Sequence, residues 1–256
     1  MIASLGMYDR PQAQAANNRL WALIRDGMRA AAMPAPDTLT CGADAYWPGW
    51  TSPDLILSQT CGFPYRSRLH GHVTLIGTPD YAVAGCPPGY YHSVYLARAD
   101  DPRRALAEFD SAAFAFNEAL SQSGWAAPQN HAAALGLILR PTLRTGSHLM
   151  SARAVADGRA DIAALDAVTW DMIAEWEPFA TTLRVIDHTP PTPGLPYIAG
   201  LGADAPRLFN IISAAIAALP EPDRKTLRLH GLASIAPAAY RAVPTPPTPA
   251  DLGLAD

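Results

Sequence analysis

Short apolar runs alternate with longer amphipathic or alanine-rich stretches along most of the chain, and this alternation constrains the fold most. Residues 2–7, 55–57, 73–76, 112–116, 161–165 and 183–186 read as strands. The stretches 12–32, 123–139, 147–157, 167–175, 205–219 and 222–229 read as helices, with a shorter one over 103–109. In the first helix Leu20, Leu23, Ile24, Gly27 and Met28 fall on one face at helical spacing. Pro34 and Pro36 end it. Strands alternating with helices predict an α/β fold, with mainly parallel sheets flanked by helices.

The chain has 256 residues, enough for one large domain or two lobes. Residues 91–98 alternate as a crossing strand, and the proline-rich stretch 189–196 reads as a return. The expected division is therefore lobe 1 from residues 1–88 and 190–256, lobe 2 from 89–189, and a ligand cleft between them. The 244–249 segment, PTPPTP, is expected to be extended and surface-bound.

Composition excludes several classes. The chain is 49% hydrophobic and 16% charged, unlike a disordered protein. No apolar run reaches the roughly 18 residues of a membrane-spanning helix, so the chain is not expected to be membrane-embedded. Nineteen basic residues face 23 acidic ones, and Lys225 is the one lysine. No dense basic stripe is present, which argues against a nucleic-acid groove. Residues 1–7 run directly into Tyr8, Asp9, Arg10 and Pro11, and the segment lacks the layout of an export signal. The expectation is a cytoplasmic chain, or one whose signal has been removed. Cys41, Cys61 and Cys86 leave at least one thiol unpaired. A Cys61–Cys86 bridge in an oxidising compartment and buried free thiols are both open. No metal-ligand spacing is present, and neither metal nor cofactor is expected.

Chemistry concentrates in two segments. The first is Asn117-Glu118-Ala119-Leu120-Ser121-Gln122-Ser123-Gly124-Trp125, which carries a strand into a helix. A helix start exposes unpaired backbone N–H groups and a partial positive charge. With the hydroxyls of Ser121 and Ser123, it can hold a tetrahedral oxyanion without Arg or Lys. The same serines are equally suited to plain helix capping. The second is Thr145-Gly146-Ser147-His148 at another helix start, followed by the strand that ends in Asp166. His148 and Asp166 both fall on the ligand side of an α/β lobe, where capping is again the alternative. The order Ser, His, Asp raises a hydrolase reading, but no GxSxG elbow is present.

Together SQSG and TGSH, with the SARAVADGRADIAALD stretch that follows, resemble the phosphate/phosphonate-binding, PhnD-like component of ABC transporters. The resemblance extends to QTCGFPY at 59–65, YYHSVY at 90–95 and GLPY at 194–197. It implies a two-lobed type II periplasmic binding-protein fold and a solute-binding protein, not an enzyme. The implied partners are a small anionic solute (phosphate, phosphite or a phosphonate) and an ABC transporter permease. The implied compartment is the periplasm. Carried onto this chain, Ser121, Gln122 and Ser123 would hold the oxyanion, and His148 would donate to it or frame it. Asp166 would face the ligand or lock His148, and Tyr8 and Tyr65 would supply the opposing wall. If the charge of His148 contributes, affinity should fall above its pKa. An ionised Glu118 would repel the anion unless it points away or meets a ligand ammonium. The alternatives are a cytoplasmic sensor and a hydrolase on the same fold.

Overall fold

The computed structural model describes residues 1–254. The chain begins with β1 (Ile2–Ser4), α1 (Gln14–Ala30), α2 (Trp47–Trp50), β2 (Leu55–Gln59), α3 (Gly62–Pro64) and β3 (Val73–Asp80). It continues through β4 (Tyr90–Tyr91), β5 (Ser93–Arg98), β6 (Ala113–Phe116), α4 (Ala127–Ala134), β7 (Arg140–Arg144) and α5 (His148–Ala156). Next come β8 (Ile162–Asp166), α6 (Ala167–Trp176), β9 (Leu183–His188), β10 (Thr192–Pro193) and β11 (Tyr197–Gly200). It closes with α7 (Ala205–Ala218), α8 (Glu221–Leu227), β12 (Gly231–Ala233) and α9 (Pro237–Arg241). Two compact units result, one from residues 1–90 and 193–241, the other from 91–192 with the tail from Ala242.

The first unit is built on a sheet of order β1-β2-β11-β3-β12. β1 and β2 are parallel, whereas β11 inserts antiparallel between β2 and β3, and β12 runs antiparallel to β3. α1 buries Leu20, Trp21, Ile24 and Met28, the face that helical spacing marks. Gly27 belongs to that face because α7 crosses there: a Cβ at Gly27 would stand 2.9 Å from Ile211 Cγ2. The Trp50 indole is locked in the core, its Nε1 donating to Ser58 Oγ and to the Gln59 carbonyl, each at 3.1 Å.

The second unit has the order β7-β6-β8-β5-β9. β6 lies between β7 and β8 and is parallel to both, while β5 is antiparallel to β8 and β9. β8 is buried at every position, as a strand covered on both faces must be, and its Ala163 lies in one apolar cluster with Ala152 and Val155 of α5.

Three features depart from the sequence reading. The helix expected over 123–139 ends at Ala134, and Arg140–Arg144 forms the edge strand β7. A proline tolerated only at a sheet edge and two arginines hide that strand from an apolar-pattern reading. The helix expected over 103–109 shrinks to a single turn at Leu106–Phe109. The tail joins the second unit rather than lobe 1, because Trp125 Nε1 donates to the Pro247 carbonyl (3.1 Å) and Asn130 Nδ2 to that of Pro244 (2.8 Å). No disulfide joins Cys61 to Cys86 among the described residues.

A charged network ties the carboxyl end of β5 to the amino ends of β6 and β8. Arg103 donates to Asp101 through Nε (3.0 Å) and Nη2 (2.7 Å), and Nη2 also reaches Asp161 at 2.9 Å. Asp161 in turn accepts from the Ala113 amide where β6 begins. Asp101 is 3% exposed, and the hydrogen bonds from Arg103 hold its carboxyl down at about 2. This folded value lies below the ordinary value near 4, so the stabilisation is complete above about pH 4 and is lost as pH falls toward 2. Arg103→Met should destabilise the protein by about 2–3 kcal/mol at pH 7, since it strands a buried carboxylate. The deficit should shrink as pH approaches 2 in urea titrations. A variant with unchanged stability at pH 7 would refute the assignment.

Candidate functional site

The chemistry-bearing residues collect at the carboxyl ends of β6, β7 and β8, where parallel strands hand over to helices. β6 is the apolar run Ala-Phe-Ala-Phe, buried by its sheet neighbours, and it delivers Asn117 to the strand end. Ser121 is extended (φ −77°, ψ 128°), and its Oγ accepts from the Gly124 amide at 3.0 Å. Residues 122–126 form a wide turn that runs on into α4, and Trp125 anchors it against Phe116 at 4.7 Å between ring centroids. Ser121, Gln122 and Ser123 are all buried.

The loop after β7 is fastened to the same place. Thr145 N donates to the Phe116 carbonyl and Gly146 N to that of Asn117, each at 2.9 Å. Gly146 takes the left-handed conformation, with φ +82°. Ser147 caps α5 by accepting from Met150 N (3.2 Å), which puts His148 at the first helical position. Its Nε2 then lies 2.9 Å from Ser123 Oγ. From the other side, Ser93 Oγ donates to the Ser123 carbonyl at 2.8 Å.

Of the residues marked from sequence, Ser121, Gln122, Ser123 and His148 thus come together. Asp166 takes the capping role weighed as the alternative: its Oδ1 accepts from Val168 N (2.7 Å) and Thr169 N (3.1 Å) at the start of α6. It does not lock His148, whose Nδ1 is buried with no hydrogen-bond partner. Tyr8 and Tyr65 belong to the first unit. Tyr8 packs edge-on against Tyr81 at 5.0 Å. Tyr65, 2% exposed, packs against Tyr240 at 5.0 Å in that unit's core rather than standing as an open wall. Glu118 is exposed; desolvation raises its pKa and Arg144 opposes the shift.

Sequence reading missed Asn117. A Cβ on Gly124 would stand 2.0 Å from Asn117 Oδ1 and 3.2 Å from His148 Cε1, so only glycine fits beneath that amide. Asn117 Oδ1 is itself buried with no hydrogen-bond partner. The sequence signal was its place, directly after a buried strand and seven residues before the glycine.

Electrostatically the site relies on neutral groups. Burial pushes His148 down to about 4, and a helix start further disfavours a cation. The Ser123–His148 pair resembles a nucleophile–base dyad but lacks the third group that orients such a base. A base held near pKa 4 is also a poor proton acceptor at neutral pH. The cluster offers hydroxyl and amide donors rather than an activated nucleophile.

The family model described as "ABC transporter, phosphonate, periplasmic substrate-binding protein" matches residues 65–242. Among solved structures, PhnD1 of Prochlorococcus marinus in complex with methylphosphonate is 16% identical. The match covers 94% of each chain with a TM-score of 0.70. A binding protein component of an ABC phosphonate transporter from Pseudomonas aeruginosa is 17% identical over 91% of this chain and 81% of that one, with a TM-score of 0.68. A Xanthomonas citri protein bound to ATP is 20% identical over 91% and 90% of the two chains, with a TM-score of 0.67. At these identities the likeness is one of fold. No curated protein sequence matches the chain.

Two outcomes follow from this geometry. His148 should not titrate between pH 6 and 8, and its ring resonances should move with a midpoint near 4. Its folded value lies below the unfolded one near 6.5, so this residue costs stability only as pH falls from about 6.5 toward 4. With His148 neutral above about pH 6.5, its charge gives no reason for affinity to fall between pH 7 and 8. A midpoint above 6 would refute the burial argument. Separately, Gly124→Ala should destabilise by about 1–3 kcal/mol, the range for forced overpacking, read as a lowered urea midpoint.

Proposed function

The chain belongs to the periplasmic substrate-binding proteins of phosphonate ABC transporters, and on that premise we propose that its second unit holds a small oxyanion at residues 121–123. The ligand class is phosphate, phosphite or a phosphonate, carried in the periplasm to a membrane-embedded transporter permease. The family is one of binding proteins rather than enzymes. Among the described residues no helix is long and apolar enough to cross a membrane.

The observation that carries this reading is the Ser121–Ser123 segment at a helix start. Ser121 uses its oxygen lone pair to cap the turn, which leaves its O–H to donate. Ser123 has a single side-chain partner, His148. Oxyanions are held at helix starts by this kind of donor set, without a lysine or arginine.

A hydrogen bond to a charged group contributes about 1.5–3 kcal/mol, and about 1.4 kcal/mol is a tenfold change in affinity. Ser123→Ala should therefore weaken methylphosphonate or phosphite binding about tenfold or more in calorimetric titrations, and, because it strands the His148 ring nitrogen, should also cost about 1–3 kcal/mol of stability. Ser121→Ala should weaken binding and also cost about 1 kcal/mol of stability, because that serine is the cap. Ligand-dependent stabilisation in a thermal-shift series of oxyanions gives the initial screen. Equal affinities for wild type and Ser123→Ala would place the ligand elsewhere.

A further inference from the structure

We propose that His148 is a positioning residue: it carries its proton on Nε2, donates to Ser123 Oγ, and so leaves the Ser123 hydroxyl hydrogen free to be donated. The inference rests on the oxyanion reading above and specifies how that site is poised before any ligand arrives.

A neutral imidazole has one N–H and one bare nitrogen, and a hydroxyl has one hydrogen to give. At 2.9 Å, Ser123 Oγ and His148 Nε2 share one hydrogen bond in one of two directions. If Nδ1 carries the proton, Ser123 must donate to Nε2. Its hydrogen is then spent, and only its lone pairs face an incoming anion. If Nε2 carries the proton, Ser123 accepts from it and keeps its own hydrogen for the ligand. The direction decides whether Ser123 attracts an oxyanion or repels it.

The surroundings select the second arrangement. His148 Nδ1 is sealed from water and meets no acceptor. A buried N–H without a partner bears the full desolvation cost of a donor, and such orphans are rarer in proteins than under-satisfied acceptors. Asp166, which would pull the proton onto Nδ1, spends its Oδ1 capping α6. Asn117 Oδ1, the nearby acceptor, is also buried without a hydrogen bond, so it does not take a proton from Nδ1. The ring cannot swing aside readily: its Cε1 packs over Gly124, and α5 is fixed by the Ser147 cap. Ser123 is held from behind by the bond between its carbonyl and Ser93.

The test needs no variant to begin with. Long-range proton–nitrogen correlation spectra of the 15N-histidine-labelled, ligand-free protein at pH 7 should show His148 as the Nε2–H tautomer. An Nδ1–H or doubly protonated signal would overturn the proposal. Variants then read the consequence, with methylphosphonate and phosphite as probes and melting temperature as the check on folding. His148→Phe removes the donor and should weaken binding about tenfold or more. His148→Gln keeps an amide donor within reach of Ser123 and should stay within about threefold of wild type. In the His148→Phe background, Ser123→Ala should cost much less than it does alone, since the two act as a unit. A Gln variant as weak as the Phe variant, with both folded, would overturn the positioning role. Failure of the wild-type protein to bind any oxyanion would overturn the functional reading instead, and the tautomer spectrum would still decide the direction of the bond.

Discussion

The bond between Ser123 Oγ and His148 Nε2 joins two helix starts that come from different strands. Everything at the candidate site depends on those starts lying side by side. β6 and β7 are parallel neighbours, so their following loops emerge at the same edge of the sheet. The amides of Thr145 and Gly146 then fasten the second loop to the end of the first strand. Only after that backbone pairing do the two side chains come within reach. The donor geometry is thus a product of strand order, and the flexible parts of the loops contribute little to it.

A site of this kind relies on dipoles and hydroxyls where a lysine or arginine would bring a full charge. Burying a free cation is expensive, and a buried imidazole responds by losing its proton. His148 follows that rule, with burial holding it neutral. The sheet tolerates so much buried polarity at one edge because most of it is bonded: Ser121, Ser123, Ser93, Thr145 and Ser151 all have partners.

Much of the architecture was legible because apolar periodicity reports burial directly. The α1 face, the buried β6 and β8 runs, and the helix starts at Ser121 and Ser147 were all readable in that way. β7 was not, since an edge strand has a single neighbour and need not be apolar. The tail's allegiance was also hidden: it is set by side-chain donors from Trp125 and Asn130 to proline carbonyls, and nothing in a proline-rich segment names its partner. At the site, residue types marked Ser121, Gln122, Ser123 and His148, which the structure brings together, but not the contacts among them. Whether Asp166 would cap a helix or orient a histidine depends on where one carboxylate turns after its strand ends. Asn117 lay inside the marked segment, but its role did not show, because it rests on a steric contact with Gly124 seven residues on.

The composition of β7 has one further consequence. An outermost strand carries a row of backbone groups that another chain can recruit, the usual route to edge-to-edge self-association. Here that strand reads Arg-Pro-Thr-Leu-Arg. Proline removes one N–H from the available row, and arginines at both ends set like charges against a second copy arriving in register. The residues that disguise the strand in the sequence also make it a poor template. They close the outer edge of the sheet that bears the candidate site to a second copy of the chain.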